Sequence, residues 1–308
     1  MSGWTAHDIP DQRGRIAVVT GANGGLGHAV ARELARKGAR VVLACRSEAR
    51  GTAAVDRLRA DMPEADVELR LLDLGDLASV RSFAAAFPYE RLDVLVNNAG
   101  VMALPYGTTA DGFETQFGVN HLGHFALTGL LLPALLAAPG ARVVTVSSLM
   151  HAMADIDLRD LNSERRYRRW VAYGRSKTAN LLFTHELARR AAAHGADLVA
   201  AAAHPGYAAT DLQTAGARAA GQRAVERVMR IGNRLLAQSA RAGALPVLYA
   251  ATAPDVRPDA FLGPSFAMWR GAPGPSWRAP RTRDDRAARL LWAASERLTG
   301  VTYDALKG

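Results

Sequence analysis

The sequence predicts an α/β fold of the Rossmann type, a doubly wound parallel sheet of about seven strands with helices on both faces. Three observations predict it. Short apolar runs alternate with amphipathic helical patterns along the 308 residues, and this order builds parallel sheets. A glycine-rich turn joins the first strand to the first helix, as in nucleotide-binding folds. Hydrophobic residues make up 49% of the chain, enough to bury both faces of a sheet.

Seven apolar runs have the length of strands and end in turn residues. The predicted strands cover residues 15–20, 40–45, 67–72, 93–97, 142–147, 198–203 and 261–267. Between them, apolar residues recur at the three-to-four spacing of a helix. The predicted helices cover residues 26–37, 48–61, 77–86, 112–138, 172–194, 241–252 and 284–298. The stretch from Gly271 to Arg283, rich in proline, glycine and arginine, is interpreted as a surface excursion.

The chain contains no internal repeat and no composition shift that would mark a linker. We therefore expect one domain over residues 1–308, with a substrate lid near 211–240 and a C-terminal extension near 269–308. Apolar residues in the lid recur on one helical face. That stripe either packs on the body of the protein or grips the substrate, and in both cases it favours a lipophilic or bulky substrate.

The turn after the first strand is suited to binding a pyrophosphate. A strand, a glycine-rich turn and a helix in this order bring backbone N–H groups and the positive end of a helix dipole together. The spacing is G-x-x-x-G-x-G, which differs from the usual G-x-G-x-x-G fingerprint, and a plain tight turn would also use glycine. The candidate cofactor residues here are Gly21, Asn23, Gly24, Gly25, Leu26 and Gly27.

Tyr173 and Lys177 are four residues apart in a predicted helix, which puts both side chains on one face. An unperturbed tyrosine has a pKa of about 10. A cation beside the phenol favours phenolate, so we expect Lys177 to lower the pKa of Tyr173 toward the range of useful proton transfer.

These motifs together resemble the short-chain dehydrogenase/reductase family along nearly the whole chain. The residues that carry the resemblance occur in the family's order: 20–27, Asp73-Leu74, Asn97–Gly100, Asn120, Ser147-Ser148, Tyr173 with Lys177, and Pro205-Gly206 with Thr210. Within the family, the chain is most similar to the retinol-dehydrogenase and protochlorophyllide-reductase branch. That similarity rests on residues 43–46, 120–125 and 177–183.

The resemblance implies hydride transfer between a nicotinamide and a carbonyl or alcohol. It implies that Tyr173 is the proton donor, that Lys177 tunes it and binds the nicotinamide ribose, and that Ser148 holds the substrate oxygen. Asn120 resembles the asparagine that anchors a water leading to the lysine. Neighbours in a strand point to opposite faces, so only one of Ser147 and Ser148 can aim at the site, and the family pattern favours Ser148.

The ends of the strands carry the expected cofactor contacts. After the second strand the chain offers Arg46 and Ser47 where an NAD-selective site offers a carboxylate, so NADP(H) is favoured over NAD. Alternatively, Arg46 points into solvent. Asp73, followed by Leu74, either faces the adenine or caps the next helix. The remaining candidates are Asn97, Ala99 and Gly100 after the fourth strand, and Pro205, Gly206 and Thr210 after the sixth.

Composition excludes several other functions. The net charge is +9, but the basic residues are spread out instead of clustered with aromatics, so nucleic-acid binding is not expected. The histidines near the site lack carboxylates at metal-ligand spacing, so no metal is expected, although His151 could border the substrate pocket. A single cysteine, Cys45, suggests a reducing compartment and a cytoplasmic location.

No apolar run resembles a membrane anchor, since Phe125 to Leu136 is too short and contains Pro133. A homo-oligomer is slightly favoured, through the helices at 112–138 and 172–194. The apolar side chains expected at that interface are Phe125, Leu127, Leu130 and Leu131.

Two other functions remain open from the sequence. The chain could reduce a carbon–carbon double bond, as protochlorophyllide reductases do, but that chemistry implies a cysteine near the active site and Cys45 lies on the cofactor side. It could also be a non-catalytic NADP sensor, although such a protein would have little need for both Tyr173 and Lys177.

Overall fold

The computed structural model describes residues 3–206 and 238–306, and an eight-stranded sheet forms its centre. The spatial order is β3-β2-β1-β4-β5-β6-β7-β8. Strands β1 to β7 run parallel, and β8 runs antiparallel to β7. The strands are β1 Ile16–Thr20, β2 Arg40–Cys45, β3 Val67–Leu71, β4 Val94–Asn97, β5 Ala141–Val146, β6 Leu198–Ala203, β7 Phe261–Phe266 and β8 Arg270–Pro275.

The seven predicted strands are confirmed, but the stretch after the seventh is not a surface excursion. It contains β8, which pairs with β7 through a register that includes Gly263 opposite Gly274. Ala267 and Met268 have φ of 50° and 57°, so the chain reverses tightly between the two strands. The excursion was predicted because proline and glycine normally mark loops. An edge strand accepts both residues, because one side of its backbone needs no partner.

The helices that cover the sheet were largely predicted. They are α1 Gly25–Arg36, α2 Glu48–Asp61, α3 Leu77–Ala85, α4 Thr115–Phe117, α5 Gly123–Leu130, α6 Leu132–Leu136, α7 Arg169–Ala193, α8 Ala240–Thr252 and α9 Asp285–Thr299. Across residues 3–206 and 238–306, none of these helices combines the length and apolarity needed to cross a bilayer.

The single helix predicted over 112–138 was wrong. Residues Gly118–Leu122 form one turn of π-helix between α4 and α5, and Pro133 near the start of α6 breaks the run at Leu131. Proline lacks the N–H that an uninterrupted helix needs. A π-turn carries the same apolar pattern as an α-helix, so periodicity does not reveal it.

Alternation along the strands separates two buried layers. Ala17 and Val19 of β1 face one layer, which α1, α2 and α8 cover. Val18 faces the other, which α3, α5, α7 and α9 cover. The chain winds outward from β1 to β3 and then returns to β4 on the other side. The crevice of a doubly wound sheet opens at this reversal, so the carboxyl ends of β1 and β4 position the site.

Helix α9 covers the face of α5 and α7 that was expected to meet a second copy. The Trp292 ring lies 5.1 Å from the Phe125 ring and stacks on Phe183 at 5.8 Å. Phe125 and Leu127 are 1% and 0% exposed. The expectation that they offer apolar surface to a partner is therefore wrong. The sequence could not show that the chain's own last helix fills this face.

One imidazole joins α7 to the C-terminal part of the chain. His185 Nδ1 lies 2.8 Å from Asp259 Oδ2, and its Nε2 lies 2.8 Å from Asp285 Oδ1 at the start of α9. Asp259 also binds the buried Arg278 at 2.7 Å. The hydrogen bond to Asp259 and the second one to Asp285 raise the pKa of His185, against the opposing effects of burial and of Arg278.

Stability should therefore depend on pH through His185. A raised folded-state pKa means that the stabilisation is complete below the unfolded value of about 6.5 and is lost as pH rises through the folded value. We expect His185→Asn to lower the unfolding midpoint more at pH 6 than at pH 9, as measured by thermal denaturation. An equal decrease at both pH values would contradict the bridge. His194→Asn is the control, because His194 ends α7 without such partners among the hydrogen bonds described for it.

Candidate active site

A side chain would be strained at Gly21 and Gly25 of the glycine turn and would clash at Gly27. Gly21 and Gly25 have φ of 67° and 53°, a left-handed conformation that glycine adopts without strain. A Cβ on Gly27 would lie 2.6 Å from the Gly21 carbonyl oxygen and 2.5 Å from Asn98 Nδ2. The first turn of α1 thus packs directly on the end of β1.

The N-terminus of α1 has no side-chain cap. Gly24 is its N-cap residue and forms no side-chain hydrogen bond. The first N–H groups of a helix have no partner within the helix. An uncapped, glycine-lined helix start is therefore able to bind a phosphate group, and the turn fits the dinucleotide that the sequence predicts. Asn23 and Leu26 lie in the same turn.

Arg46 and Asp73 lie side by side at the ends of β2 and β3. Arg46 Nε is 4.0 Å from Asp73 Oδ2, and the Arg46 side chain is 66% exposed. Ser47 accepts a hydrogen bond from the Arg50 N–H and so caps α2. The guanidinium is therefore accessible to an anion at this edge, beside the Asp73 carboxylate.

Asp73 does not cap the helix that follows it, so that alternative was wrong. The N-cap residue of α3 is Asp76, whose side chain accepts the Ala78 N–H. Asp73 Oδ1 instead accepts the Gly75 N–H at 2.9 Å. Leu74, the next residue, is buried.

Beyond β4, the chain passes close to the helix residues. A Cβ on Gly100 would lie 3.1 Å from Asn120 Oδ1 and 3.7 Å from Lys177 Nζ. Gly100, Asn120 and Lys177 therefore meet at one point, with Ala99 beside them. Asn97 does not join them. Its Nδ2 donates to Thr128 Oγ1 at 3.0 Å, inside the layer covered by α5.

Burial, and not the neighbouring cation, controls the pKa values of Tyr173 and Lys177. Burial raises the pKa of Tyr173 to about 12, although a hydrogen bond with Ser148 lowers it. Burial also lowers the pKa of Lys177 to about 8. Lys177 Nζ lies 5.6 Å from the centre of the Tyr173 ring and donates to the Val146 carbonyl at 3.1 Å. The predicted lowering of the tyrosine pKa was therefore wrong for the protein alone.

The two serines after β5 point to different places. Ser147 Oγ donates to the Lys177 carbonyl at 2.9 Å and is buried against α7. Ser148 is the N-cap residue of the short 3-10 helix Leu149–Met153, and its side chain lies close enough to Tyr173 to lower the pKa of the phenol. The geometry therefore brings Ser148, and not Ser147, to the phenol.

Asn120 lies in the π-helical turn and ties three segments together. Its Oδ1 accepts the Val101 N–H at 2.8 Å and its Nδ2 donates to the Val101 carbonyl at 2.9 Å. The same nitrogen reaches Ser176 Oγ on α7 at 3.0 Å. The amide of Asn120 thus fixes the segment after β4 against α7.

Thr20 and His124 form a buried link for which the sequence predicted no role. Thr20 Oγ1 accepts the Asn98 and Ala99 N–H groups, both at 2.9 Å. It also lies 2.9 Å from His124 Nε2, while His124 Nδ1 lies 3.1 Å from the Asn120 carbonyl. That carbonyl requires a donor, so Nδ1 carries the proton and Nε2 accepts from Thr20. The only available signal was the position of Thr20 directly before the glycine turn.

The segment that follows β6 is described only in part. Gly206 has φ of 63° and donates to His204 Nδ1 at 3.1 Å, and Gln238 Nε2 donates to the Pro205 carbonyl. Thr210 and nearly all of the predicted lid, 211–240, lie outside the described residues.

Two chemistries receive no support from the described residues. No group of three histidine, cysteine or carboxylate side chains there could hold a metal ion. Cys45 is buried in β2, and burial raises the pKa of its thiol to about 11. A thiol so placed cannot serve as a proton donor beside Tyr173.

Comparison with known proteins agrees with this geometry. The family profile described as short chain dehydrogenase matches residues 15–221. Human retinol dehydrogenase 12 is 42% identical over 296 residues, covering 94% of this chain and 88% of that protein. Mouse polyprenol dehydrogenase is 41% identical over 303 residues, covering 95% and 86%.

Solved structures show the same fold. An uncharacterized protein from Mycobacterium paratuberculosis is 48% identical, with a TM-score of 0.81 and coverage of 98% of this chain and 99% of that one. A protein described as an NAD(P)-dependent gluconate 5-dehydrogenase from Beutenbergia cavernae, with bound NADP, is 29% identical with a TM-score of 0.60. The alignment covers 79% of this chain and 92% of that protein's chain.

The contacts of the glycine turn can be tested by stability. We expect Gly27→Ala to lower the unfolding midpoint, because its methyl group would meet backbone at 2.6 Å. Gly24→Ala is the matched control, since a Cβ there meets nothing within 4 Å. Thermal denaturation of both variants distinguishes them. Equal midpoints would show that α1 does not pack on the end of β1 as described.

Proposed function

Because the chain belongs to the short-chain dehydrogenase/reductase family, we propose that it is an NADP-dependent carbonyl reductase or alcohol dehydrogenase acting on a lipophilic or bulky substrate. Its oxidoreductase class, acting on CH–OH and C=O groups, follows from the family and from its retinol dehydrogenase relatives. The convergence of Tyr173, Lys177 and Ser148 beside Gly100 carries the finer proposal.

The roles follow from the charge that develops on the substrate oxygen. The bound nicotinamide supplies or accepts the hydride. When a carbonyl is reduced, its oxygen gains negative charge and needs two hydrogen-bond donors. Tyr173 is proposed to give the proton and Ser148 the second hydrogen bond, and in oxidation Tyr173 takes the proton back. The raised pKa of Tyr173 keeps it protonated, as an acid must be.

Lys177 and Asn120 are proposed to support that pair. The Lys177 ammonium lies close enough to Tyr173 to favour phenolate when the proton leaves, and near Gly100 it could also bind a ribose hydroxyl. Asn120 holds the chain after β4, so it keeps Gly100 close to Lys177.

The proposed preference for NADP rests on Arg46. It is exposed at the end of β2, close to Asp73, and can pair with a 2′-phosphate. The glycine turn and the uncapped α1 fit the pyrophosphate. The remaining proposed cofactor contacts are Ser47, Asp73, Leu74, Ala99, Pro205, Gly206 and Thr210.

A lipophilic substrate is supported by two relatives, which are named for retinol and polyprenol. It is also supported by exposed aromatic side chains on the C-terminal part, such as Trp277 at 53%. We further propose a single domain and a cytoplasmic location, the latter because Cys45 is a free thiol. If the chain self-associates, it uses a face other than the one α9 covers.

Tyr173→Phe tests the reaction. We expect it to bind NADPH normally and to lose turnover by roughly 10²–10⁴-fold, the usual contribution of general acid catalysis. NADPH oxidation is measured with a panel of aldehydes, ketones and enones. Ser148→Ala should lose about 10²–10³-fold, the cost of one oxyanion donor, and Ser147→Ala much less. A fully active Tyr173→Phe enzyme would overturn the assignment, and reduction of enones alone would favour double-bond chemistry.

Arg46→Ala tests the cofactor. Fluorescence titration should give at least tenfold tighter binding of NADPH than NADH, a difference of about 1.4 kcal/mol. The variant should lose most of that preference and bind NADH as before. Arg50→Ala, one turn into α2, controls for a general loss of positive charge. An unchanged preference in Arg46→Ala would refute the role of this arginine.

A further inference from the structure

His151 lies behind the site and contacts the backbone of Ser148. The side chain is 0% exposed, so the expectation that it could border the substrate pocket was wrong. Its Nδ1 lies 2.6 Å from the Ser148 carbonyl oxygen. Its Nε2 lies 3.1 Å from the backbone nitrogen of Ala279, in the C-terminal part of the chain. One ring therefore bridges the serine and a segment more than a hundred residues away.

Both partners fix the state of this ring. The Ser148 carbonyl can only accept, so Nδ1 must carry a proton. The Ala279 N–H can only donate, so Nε2 must be unprotonated. His151 is thus neutral and in one tautomer. Burial, followed by the charges of Arg281 and Arg278, lowers its pKa and agrees with this state, although the bond to Ser148 acts in the opposite direction.

The surroundings hold the ring and its backbone in place. The ring packs against Trp277 at 5.6 Å and edge-on against Phe261 at 5.5 Å. The His151 carbonyl accepts from Thr178 Oγ1 on α7 at 3.2 Å and from Arg281 at 2.8 Å. Residues 276–285, which we call the strap, therefore contact His151 through three residues, Trp277, Ala279 and Arg281.

The strap is anchored at two further residues. Arg278 is buried and binds Asp259 at 2.7 Å, and Asp285 binds His185 on α7 at 2.8 Å. The strap cannot shift without breaking these contacts. It offers a fixed support for His151, which in turn contacts the residue whose side chain meets Tyr173.

We propose that His151 is a positioning residue that fixes Ser148 by linking its carbonyl to the strap. This inference rests on the proposed function, in which Ser148 binds the substrate oxygen. A serine hydroxyl that is held in place supplies its hydrogen bond without reorganisation during the reaction. The C-terminal extension is then part of the catalytic apparatus, although it contributes no catalytic residue.

The link to the strap can be removed without removing any side-chain group. Ala279 has φ of −59°, a value that proline adopts. Ala279→Pro deletes the N–H that Nε2 accepts and places the proline Cδ where that hydrogen was, so it breaks the contact and displaces the His151 ring. Ala279→Gly keeps the N–H and is the matched control. We expect a single-turnover rate lower by at least about threefold for the proline variant, since one hydrogen bond contributes roughly twofold to tenfold and displacement of the ring adds to the loss. NADPH affinity should stay within about twofold of the parent.

Two substitutions of His151 separate its two contacts. Asparagine places an N–H near the position of Nδ1, so His151→Asn can keep the contact with Ser148. Glutamine places its polar atoms near Nε2, so His151→Gln can keep only the contact with Ala279. We expect both variants to be slower than the parent in single turnover, because each breaks the link between Ser148 and the strap at one end. A parent-like rate in either variant would contradict the proposal.

A double-mutant cycle with Ser148→Ala gives the decisive comparison. If His151 acts through Ser148, His151→Gln should cause no further loss in the Ser148→Ala protein. A full additional loss would show a general structural role and would overturn the inference while leaving the proposed function intact. A fully active Ser148→Ala enzyme would overturn the role of the serine and this inference together. Reduced NADPH affinity in His151→Gln would also count against it, because the proposed effect is confined to the serine.

Discussion

The site depends on a close backbone approach at the carboxyl end of β1. There a Cβ on Gly27 would meet the Gly21 carbonyl at 2.6 Å, and one on Gly21 would meet Ala99 at 3.0 Å. These distances require glycine at positions 21 and 27, where the glycine turn and the start of α1 meet the end of β4. Thr20 adds the polar connection, since its hydroxyl accepts two N–H groups from the β4 segment. The glycine turn that is proposed to bind the pyrophosphate is built at this junction.

Burial then sets the electrostatics of the catalytic pair. Removing Tyr173 and Lys177 from water disfavours the charged form of each, so the tyrosine pKa rises to about 12 and the lysine pKa falls to about 8. The spacing of Tyr173 and Lys177 in the sequence predicts only the attraction between a cation and a phenolate. That attraction needs both charges, and burial makes both costly. A sequence gives the spacing of two side chains, but the degree of burial depends on everything packed around them.

The predictable features were those that one local pattern determines. The seven apolar runs became strands, and the glycine turn and the Tyr173–Lys177 spacing had the expected geometry. The features that were missed depend on long-range packing. Residues 270–275 became an edge strand because β7 offers a free side, and a π-turn placed Asn120 opposite Val101. The burial of Phe125 depends on Trp292, far away in sequence. The spacing of apolar residues along the chain does not reveal the edge strand, the π-turn or the burial of Phe125.

The C-terminal part of the chain connects the fold to the chemistry. Helix α9 fills the apolar face of α5 and α7, so its position is set by core packing. The strap that leads into α9 is consequently fixed at one end by that packing and by His185. At its other end, the Ala279 N–H fixes the tautomer of His151, and His151 contacts Ser148. A well-packed core tolerates little displacement. The packed α9 layer therefore restricts the position of Ser148 through two hydrogen bonds, one between Ala279 and His151 and one between His151 and Ser148.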